Sequence, residues 1–256
     1  MNNPFIIAEI GISHNGDMEI AKKMIDMAKS CGCDAVKFQK RTVNQVFSED
    51  YLNGTRESPW GNTQRALKEH LEFGRQDYDE IDKYCRQIGI EWFASPWDMQ
   101  SLVFLSRYNL KYNKVASPKI GDTELLMAMA IQGRYTFIST GLCIKSQIDD
   151  SVSVFQKHGC EFMLMHCVNR YPCPDNLCDL QRIRKLKEAY NCSVGYSNHN
   201  PSILAPSLAV AMGAEAVEVH ITLDRTMFGS DQAASFEKAG LEYVVRDCRR
   251  VKEMIG

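Results

Sequence analysis

The feature that most constrains this 256-residue chain is an alternation of short β-rich runs with helical runs from one end to the other. The first unit shows the logic. Phe5-Ile6-Ile7-Ala8-Glu9-Ile10 reads as a buried strand, and beyond a short loop Ala21, Met24, Ile25 and Ala28 share one face of a helical period. Asp17 stands where an N-cap belongs, Gly32 where the helix must stop, and Asp34-Ala35-Val36-Lys37-Phe38-Gln39 is the next strand. Later strands are predicted at Ile90 to Ser95, Tyr112 to Ser117, Tyr135 to Ser139, Glu161 to His166, Ser193 to Ser197 and Ala216 to Ile221, with a last helix from about Glu237 to Met254. Eight strands with eight helices predict a (β/α)8 TIM barrel, where a doubly wound open sheet would stop nearer five or six strands.

The length suits one domain over 1–256, and apolar residues, 45% of the chain, are spread widely enough to fill a single core. One stretch departs from the pattern. Arg41 to Leu71, an insertion after the second strand, is rich in Asn, Ser, Gly and charge, and reads as an irregular lid or wall over the barrel mouth. No repeat, low-complexity tract or change of composition marks a second domain.

Thirty Lys and Arg against thirty-two Asp and Glu give a net charge of -2, so no global basic field exists for nucleic acid or an acidic membrane. The expected partner is small. No apolar run is long enough to span a bilayer and the N-terminus lacks a signal-peptide pattern, which predicts a cytoplasmic protein. The ten cysteines are scattered, and reduced thiols are expected. Cys167, Cys173 and Cys178 do not match the spacing of paired zinc knuckles.

Strand interiors of a parallel barrel should be apolar, so polar residues gathered at strand ends carry the functional signal. Glu9 belongs to the first strand, Lys37 and Gln39 to the second, Ser95 to the third, Lys114 and Ser117 to the fourth and Ser139 to the fifth. Asn169 follows the sixth, Ser197 and His199 end the seventh, and Glu218 and His220 end the eighth. Any one serine reads as an ordinary loop hydroxyl; the set, on the rim where barrel enzymes build their sites, does not. Two lysines with hydroxyls and an amide suit a phosphate beside a carboxylate, and ion pairs to Glu9, Glu218 or Asp231 are expected for those lysines in the empty site. His199 and His220, on adjacent strands with Glu218 and Asp231 nearby, suit a divalent ion that keeps open positions. His14 reads as a weaker candidate that orders the first loop, His70 and His158 as surface residues, and His166 as barrel packing.

The motifs Ile7-Ala8-Glu9-Ile10-Gly11 with His14-Asn15-Gly16, Val36-Lys37-Phe38-Gln39, Lys114-Val115-Ala116-Ser117 and Ile138-Ser139-Thr140-Gly141 resemble the sialic acid synthase family. His166-Cys167 with Asn169, Tyr171 and Pro172, then Gly195-Tyr196-Ser197-Asn198-His199, and Glu218-Val219-His220-Ile221-Thr222 running to Gly229-Ser230-Asp231, continue the likeness in order over essentially the whole chain. The resemblance implies metal-dependent condensation of phosphoenolpyruvate with an open-chain sugar aldehyde, giving a 2-keto-3-deoxy sugar acid and phosphate. It implies that Lys37, Ser95, Lys114, Ser117, Ser139, Asn169 and Ser197 bind phosphoenolpyruvate, and that His199 and His220 hold manganese or magnesium. Glu9, Glu218 and Asp231 are the implied catalytic carboxylates, and Gln39, Lys119, Tyr171 and Asp231 the implied sugar contacts. It further implies a homo-oligomer.

Departures bear on the acceptor. Lys119 stands two residues after Ser117 where the family commonly has a sugar-contacting Glu, Ser13 stands for Asn, Ser95 for Thr, and Trp97 for a smaller aromatic. Family members usually continue into an antifreeze-like domain that covers the partner's site and supplies an arginine to the sugar's N-acyl group; with this sequence ending at Gly256, the expectation is a separate lid protein, cover by the Arg41 to Leu71 segment, or an acceptor without the group that arginine reads. Two other functions fit the same residues: a phosphoenolpyruvate-binding regulatory subunit without turnover, and a metal-dependent 2-keto acid aldolase.

Overall fold

The computed structural model describes residues 3–256. In chain order the elements are β1 (Phe5–Gly11), α1 (Met18–Ser30), β2 (Ala35–Lys40), α2 (Val43–Val46), α3 (Glu49–Leu52), β3 (Thr55–Ser58), β4 (Gly61–Thr63), α4 (Gln64–His70), α5 (Arg75–Ile88) and β5 (Glu91–Pro96). They continue as α6 (Met99–Leu105), β6 (Tyr112–Val115), α7 (Thr123–Ile131), β7 (Tyr135–Ser139), α8 (Lys145–Lys157), β8 (Phe162–Cys167), α9 (Arg182–Tyr190), β9 (Val194–Asn198), α10 (Leu204–Ala211), β10 (Ala216–His220) and α11 (Lys238–Ile255).

Eight of the strands form one parallel sheet in the order β5-β2-β1-β10-β9-β8-β7-β6, and β5 and β6 lie against one another to close the barrel. All eight expected strands are present, each within about two residues of the reading from sequence. Asp17 caps α1 as expected, its carboxylate accepting from the Glu19 and Ile20 amides at 2.8 and 3.1 Å. The one clear shortening is β6, which stops at Val115, so that Ser117 begins a 3-10 turn over Ser117–Lys119.

Side chains of alternate residues stack inside the barrel in layers. The lowest is aromatic: Phe137 lies 5.9 Å from Phe5, 5.7 Å from Phe93 and 5.6 Å from Tyr112, ring centre to ring centre. Above it Met163 and Met165 close on Gly195, where an added Cβ would stand 2.5 Å from the Met165 sulfur and 2.8 Å from the Ala216 carbonyl. Two residues further along the strands, the next layer is ionic. A solid floor therefore lies beneath the charged groups, and ligand access is from the C-terminal rim.

The segment after β2 is not irregular, contrary to the expectation from its composition. It folds into α2, α3, the antiparallel β3–β4 pair and α4. Trp60 stacks on His70 at 4.3 Å and meets Phe228 edge-on, while His70 Nε2 lies 3.0 Å from the Asn15 carbonyl, which ties the segment to the first βα loop and to the loop after β10. At its start, Asp98 accepts from the Thr42 amide and hydroxyl at 2.7 and 2.9 Å while capping α6. Among the described residues no helix is long and apolar enough to cross a membrane.

Candidate active site

At the C-terminal mouth lies a cavity of about 290 Å³. Its floor is a chain of four charges of alternating sign, each side chain at most 4% exposed. Glu9 Oε2 lies 2.7 Å from Lys37 Nζ, Lys37 lies 3.6 Å from Glu218 Oε1, and Lys114 Nζ reaches both Glu218 oxygens at 3.0 and 3.1 Å. Ser95 meets Lys37 at 3.3 Å, Ser197 donates to Glu218 at 3.2 Å, and Gln39 donates to Glu9 at 2.7 Å while accepting from Arg41.

Such burial is sustained only by mutual neutralisation. Burial by itself would raise the Glu218 carboxyl, but Lys114 and Lys37 pull it down to about 2. Burial would lower Lys37, and the carboxylates of Glu218 and Glu9 overcome it and raise the ammonium. Lys114, which shares Glu218 and also faces Lys37, is left below the ordinary lysine range by its burial.

The hydroxyl groups stand where the strands end. Ser117 Oγ accepts from the Gly141 amide at 3.0 Å and lies 3.1 Å from Cys167 Sγ, and with Ser95, Ser139, Ser197 and Asn169 it lines the cavity. His199 and His220 face each other across the rim with ring centres 5.3 Å apart. His199 Nδ1 lies 2.6 Å from the Val168 carbonyl, so that nitrogen carries the proton and Nε2 keeps its lone pair. Burial, then the neighbouring His220, push His199 down to about 3 and keep it neutral. His220 Nδ1 is buried without a hydrogen-bond partner, 3.7 Å from Asp231 Oδ2. Two imidazoles, each with a ring nitrogen free of a hydrogen-bond partner, fit a divalent ion. Among the described residues no third His, Cys, Asp or Glu joins them in a closed cluster, which leaves positions for oxygen ligands. Tyr171 packs on His199 at 3.9 Å and edge-on to His220.

A family model described as the NeuB family matches residues 24–256. The chain belongs to the NeuB family. Its relatives within that family include the human N-acetylneuraminate-9-phosphate synthase, 36% identical over 98% of this chain and 71% of the human protein. The N,N'-diacetyllegionaminic acid synthase of Campylobacter jejuni is 31% identical over all of this chain and 78% of that one. A crystal structure of the N-acetylneuraminic acid synthetase of Leptospira borgpetersenii in complex with citrate matches with a TM-score of 0.91 and 34% identity, covering all of this chain and 86% of that one.

The NeuB barrel brings together around one cavity every residue expected to serve catalysis, substrate or metal except Lys119; His14, the weaker candidate, also lies outside it. Lys119 lies in the turn after β6 with its ammonium 3.9 Å from Asp122, and it does not line the cavity. The cavity is also lined by Arg41, Phe47 and Lys68, which carried no signal in the sequence, and by Trp97 and Ser230, which the sequence marked only as motif positions. Arg41 lies over the Trp97 ring at 4.4 Å and pairs with Glu72. Phe47 and Lys68 come from the inserted segment, whose lack of periodicity hid them. Cys167, which the sequence marked only as part of the His166-Cys167 motif, also lines the cavity. His14 is buried, stacked on Phe73 at 3.9 Å, and accepts from the Gly16 amide, which orders the first loop. His166 is buried with Nε2 on the Cys178 carbonyl at 2.8 Å.

Proposed function

We propose that this chain condenses phosphoenolpyruvate with the open-chain aldehyde of an N-acylhexosamine-like sugar to give a 2-keto-3-deoxy sugar acid and phosphate. The observation that carries the reading is the ionic floor. Two buried lysines already matched by two carboxylates, ringed by Ser95, Ser117, Ser139, Ser197 and Asn169, form a seat for a small, multiply charged anion.

In the reaction C3 of the enol attacks the aldehyde carbon, the carbonyl pair moves to oxygen, and that oxygen takes a proton. Water adds at C2, and the bond between C2 and the phosphate oxygen breaks, leaving a ketone and inorganic phosphate. Lys37 and Lys114 hold the donor's charges, and the serine hydroxyls fix its orientation. A divalent ion, manganese or magnesium, held by His199 and His220 would supply Lewis-acid polarisation of the aldehyde oxygen. Asp231, on the rim beside His220, is placed to exchange a proton with the new hydroxyl. Glu9, oriented by Gln39 and Lys37, positions the water. Glu218, held as a carboxylate by Lys114 and Lys37, serves as the counter-charge that keeps both lysines in place. Tyr171 and Gln39 border the acceptor.

The test is phosphate release from phosphoenolpyruvate with manganese across aldoses, N-acylhexosamines and phosphosugars. Release is expected only with metal and a matching acceptor, and its loss in His199→Ala. Phosphoenolpyruvate binding with no release across the panel would instead support a regulatory subunit, and cleavage of a keto acid without phosphoenolpyruvate would support an aldolase.

A further inference from the structure

The line of contacts along the ionic floor does not end at Glu9. Glu9 Oε1 accepts from Gln39 Nε2 at 2.7 Å, and Gln39 Oε1 in turn accepts from the Arg41 guanidinium. On its other side Glu9 Oε2 meets Lys37 at 2.7 Å, so one continuous chain joins Arg41, at the root of the inserted segment, to the lysines of the anion seat. Gly11, in the left-handed region with φ +54°, leaves room for it: a Cβ there would stand 2.9 Å from Glu9 Oε1 and 3.2 Å from Gln39 Nε2.

A primary amide can turn either end towards a carboxylate, with opposite effects. Its N–H groups donate, and its oxygen repels. The main chain of Gln39 is held, its carbonyl accepting from the Tyr78 hydroxyl at 3.0 Å, so the freedom that matters is rotation of the amide. Arg41 removes it. A guanidinium has donors and no acceptor, so the amide atom facing it has to be oxygen, and the nitrogen is then turned to Glu9. Closing the base of the inserted segment does not by itself call for this contact. Glu72 already accepts from the Arg41 main-chain amide at 3.0 Å and from Lys40 Nζ at 3.2 Å, besides Arg41 Nη1 at 3.3 Å. The other terminal nitrogen, Nη2, is spent on Gln39, while the guanidinium lies over the Trp97 ring at 4.4 Å.

We propose that Arg41 is a positioning residue for the condensation: it locks the Gln39 amide with its nitrogen towards Glu9 and so keeps the Glu9 carboxylate aimed at the water. The inference rests on the reading of Glu9 as the group that positions that water. Arg41 acts through Gln39, and its contribution falls on the reacting step more than on binding of either substrate.

The experiment follows phosphate release with phosphoenolpyruvate, manganese and N-acetylmannosamine, or the panel sugar that gives the parent its fastest release. Arg41→Ala is expected to lower kcat by about tenfold with both KM values within about threefold of the parent. Arg41→Lys, which also only donates, should recover part of kcat. In a Gln39→Ala background, Arg41→Ala should cost less than about twofold more, because an effect that passes through Gln39 disappears with it. Glu72→Gln, which removes the ion pair but leaves the Arg41–Gln39 contact, should keep kcat within about twofold. An unchanged kcat in Arg41→Ala would overturn the role. So would a raised acceptor KM alone or a full loss in the Gln39→Ala background, either of which would make Arg41 a direct sugar contact, and so would an equal loss in Glu72→Gln, which would make it a tie of the inserted segment. If Gln39→Ala is too slow to follow, the split between kcat and KM together with Glu72→Gln decides. These results leave the condensation reading intact, whereas no release by the parent with any panel sugar would overturn that reading and this role with it.

Discussion

Cys167 Sγ lies 3.1 Å from Ser117 Oγ, and Ser117 Oγ also accepts from the Gly141 amide at 3.0 Å. If the thiol donates, both lone pairs of the serine oxygen are occupied by protein donors, and its own proton is left to point at the ligand. Cys167→Ala is then expected to raise KM for phosphoenolpyruvate by about three- to tenfold while kcat changes less, with Cys167→Ser recovering part of the loss. Steady-state kinetics with the donor varied checks this; an unchanged KM in the alanine variant would remove the role.

Glu218 is shared by two buried lysines, and Glu218→Gln leaves them with only Glu9. The expected cost is about 3–5 kcal/mol, read as a fall in denaturation midpoint. Because an added anion can replace the missing charge, phosphoenolpyruvate should raise the melting temperature of the variant more than that of the parent.

Gly195 has no space for a side chain between Met165, Met163 and the Ala216 carbonyl. The sulfur atoms can move, the carbonyl in the β9–β10 pair cannot. Gly195→Ala should destabilise by about 1–3 kcal/mol through spreading of the strands, and an unchanged urea midpoint would show that the barrel yields there.

Acid sensitivity follows from His14, which burial, more than any neighbour, lowers to about 3. Unfolding releases it to an ordinary value near 6.5, so below that pH the unfolded chain binds a proton that the folded one refuses. Stability at neutral pH is therefore intact and declines as pH falls from about 6.5 towards 3, by at most about 1.4 kcal/mol per unit for this residue. Urea titrations at several pH values should show a slope shallower by up to one proton in His14→Gln.

The barrel was legible because its two periodicities are set by burial alone: alternate residues inside each strand, one apolar stripe on each helix. The ionic floor was legible for the opposite reason, since Lys37, Lys114, Glu9 and Glu218 break that rule in the same layer. What sequence could not reveal is how the Arg41 to Leu71 segment folds. Its order comes from Trp60 on His70, His70 on Asn15 and Thr42 on Asp98, contacts with partners far along the chain and invisible to local pattern. For the same reason Phe47 and Lys68 escaped notice, and Lys119, placed by a motif position, lies outside the cavity wall.

The alternating floor of Glu9, Lys37, Glu218 and Lys114 also makes the pocket an ion exchanger. An incoming anion does not fill a waiting positive hole; it must draw the ammonium groups away from carboxylates that already hold them. On the proposed function, a singly charged metabolite would gain too little from that exchange to compete, whereas one carrying phosphate and carboxylate together would engage both lysines at once. Selection among small acids would then be made by total charge before shape is tested.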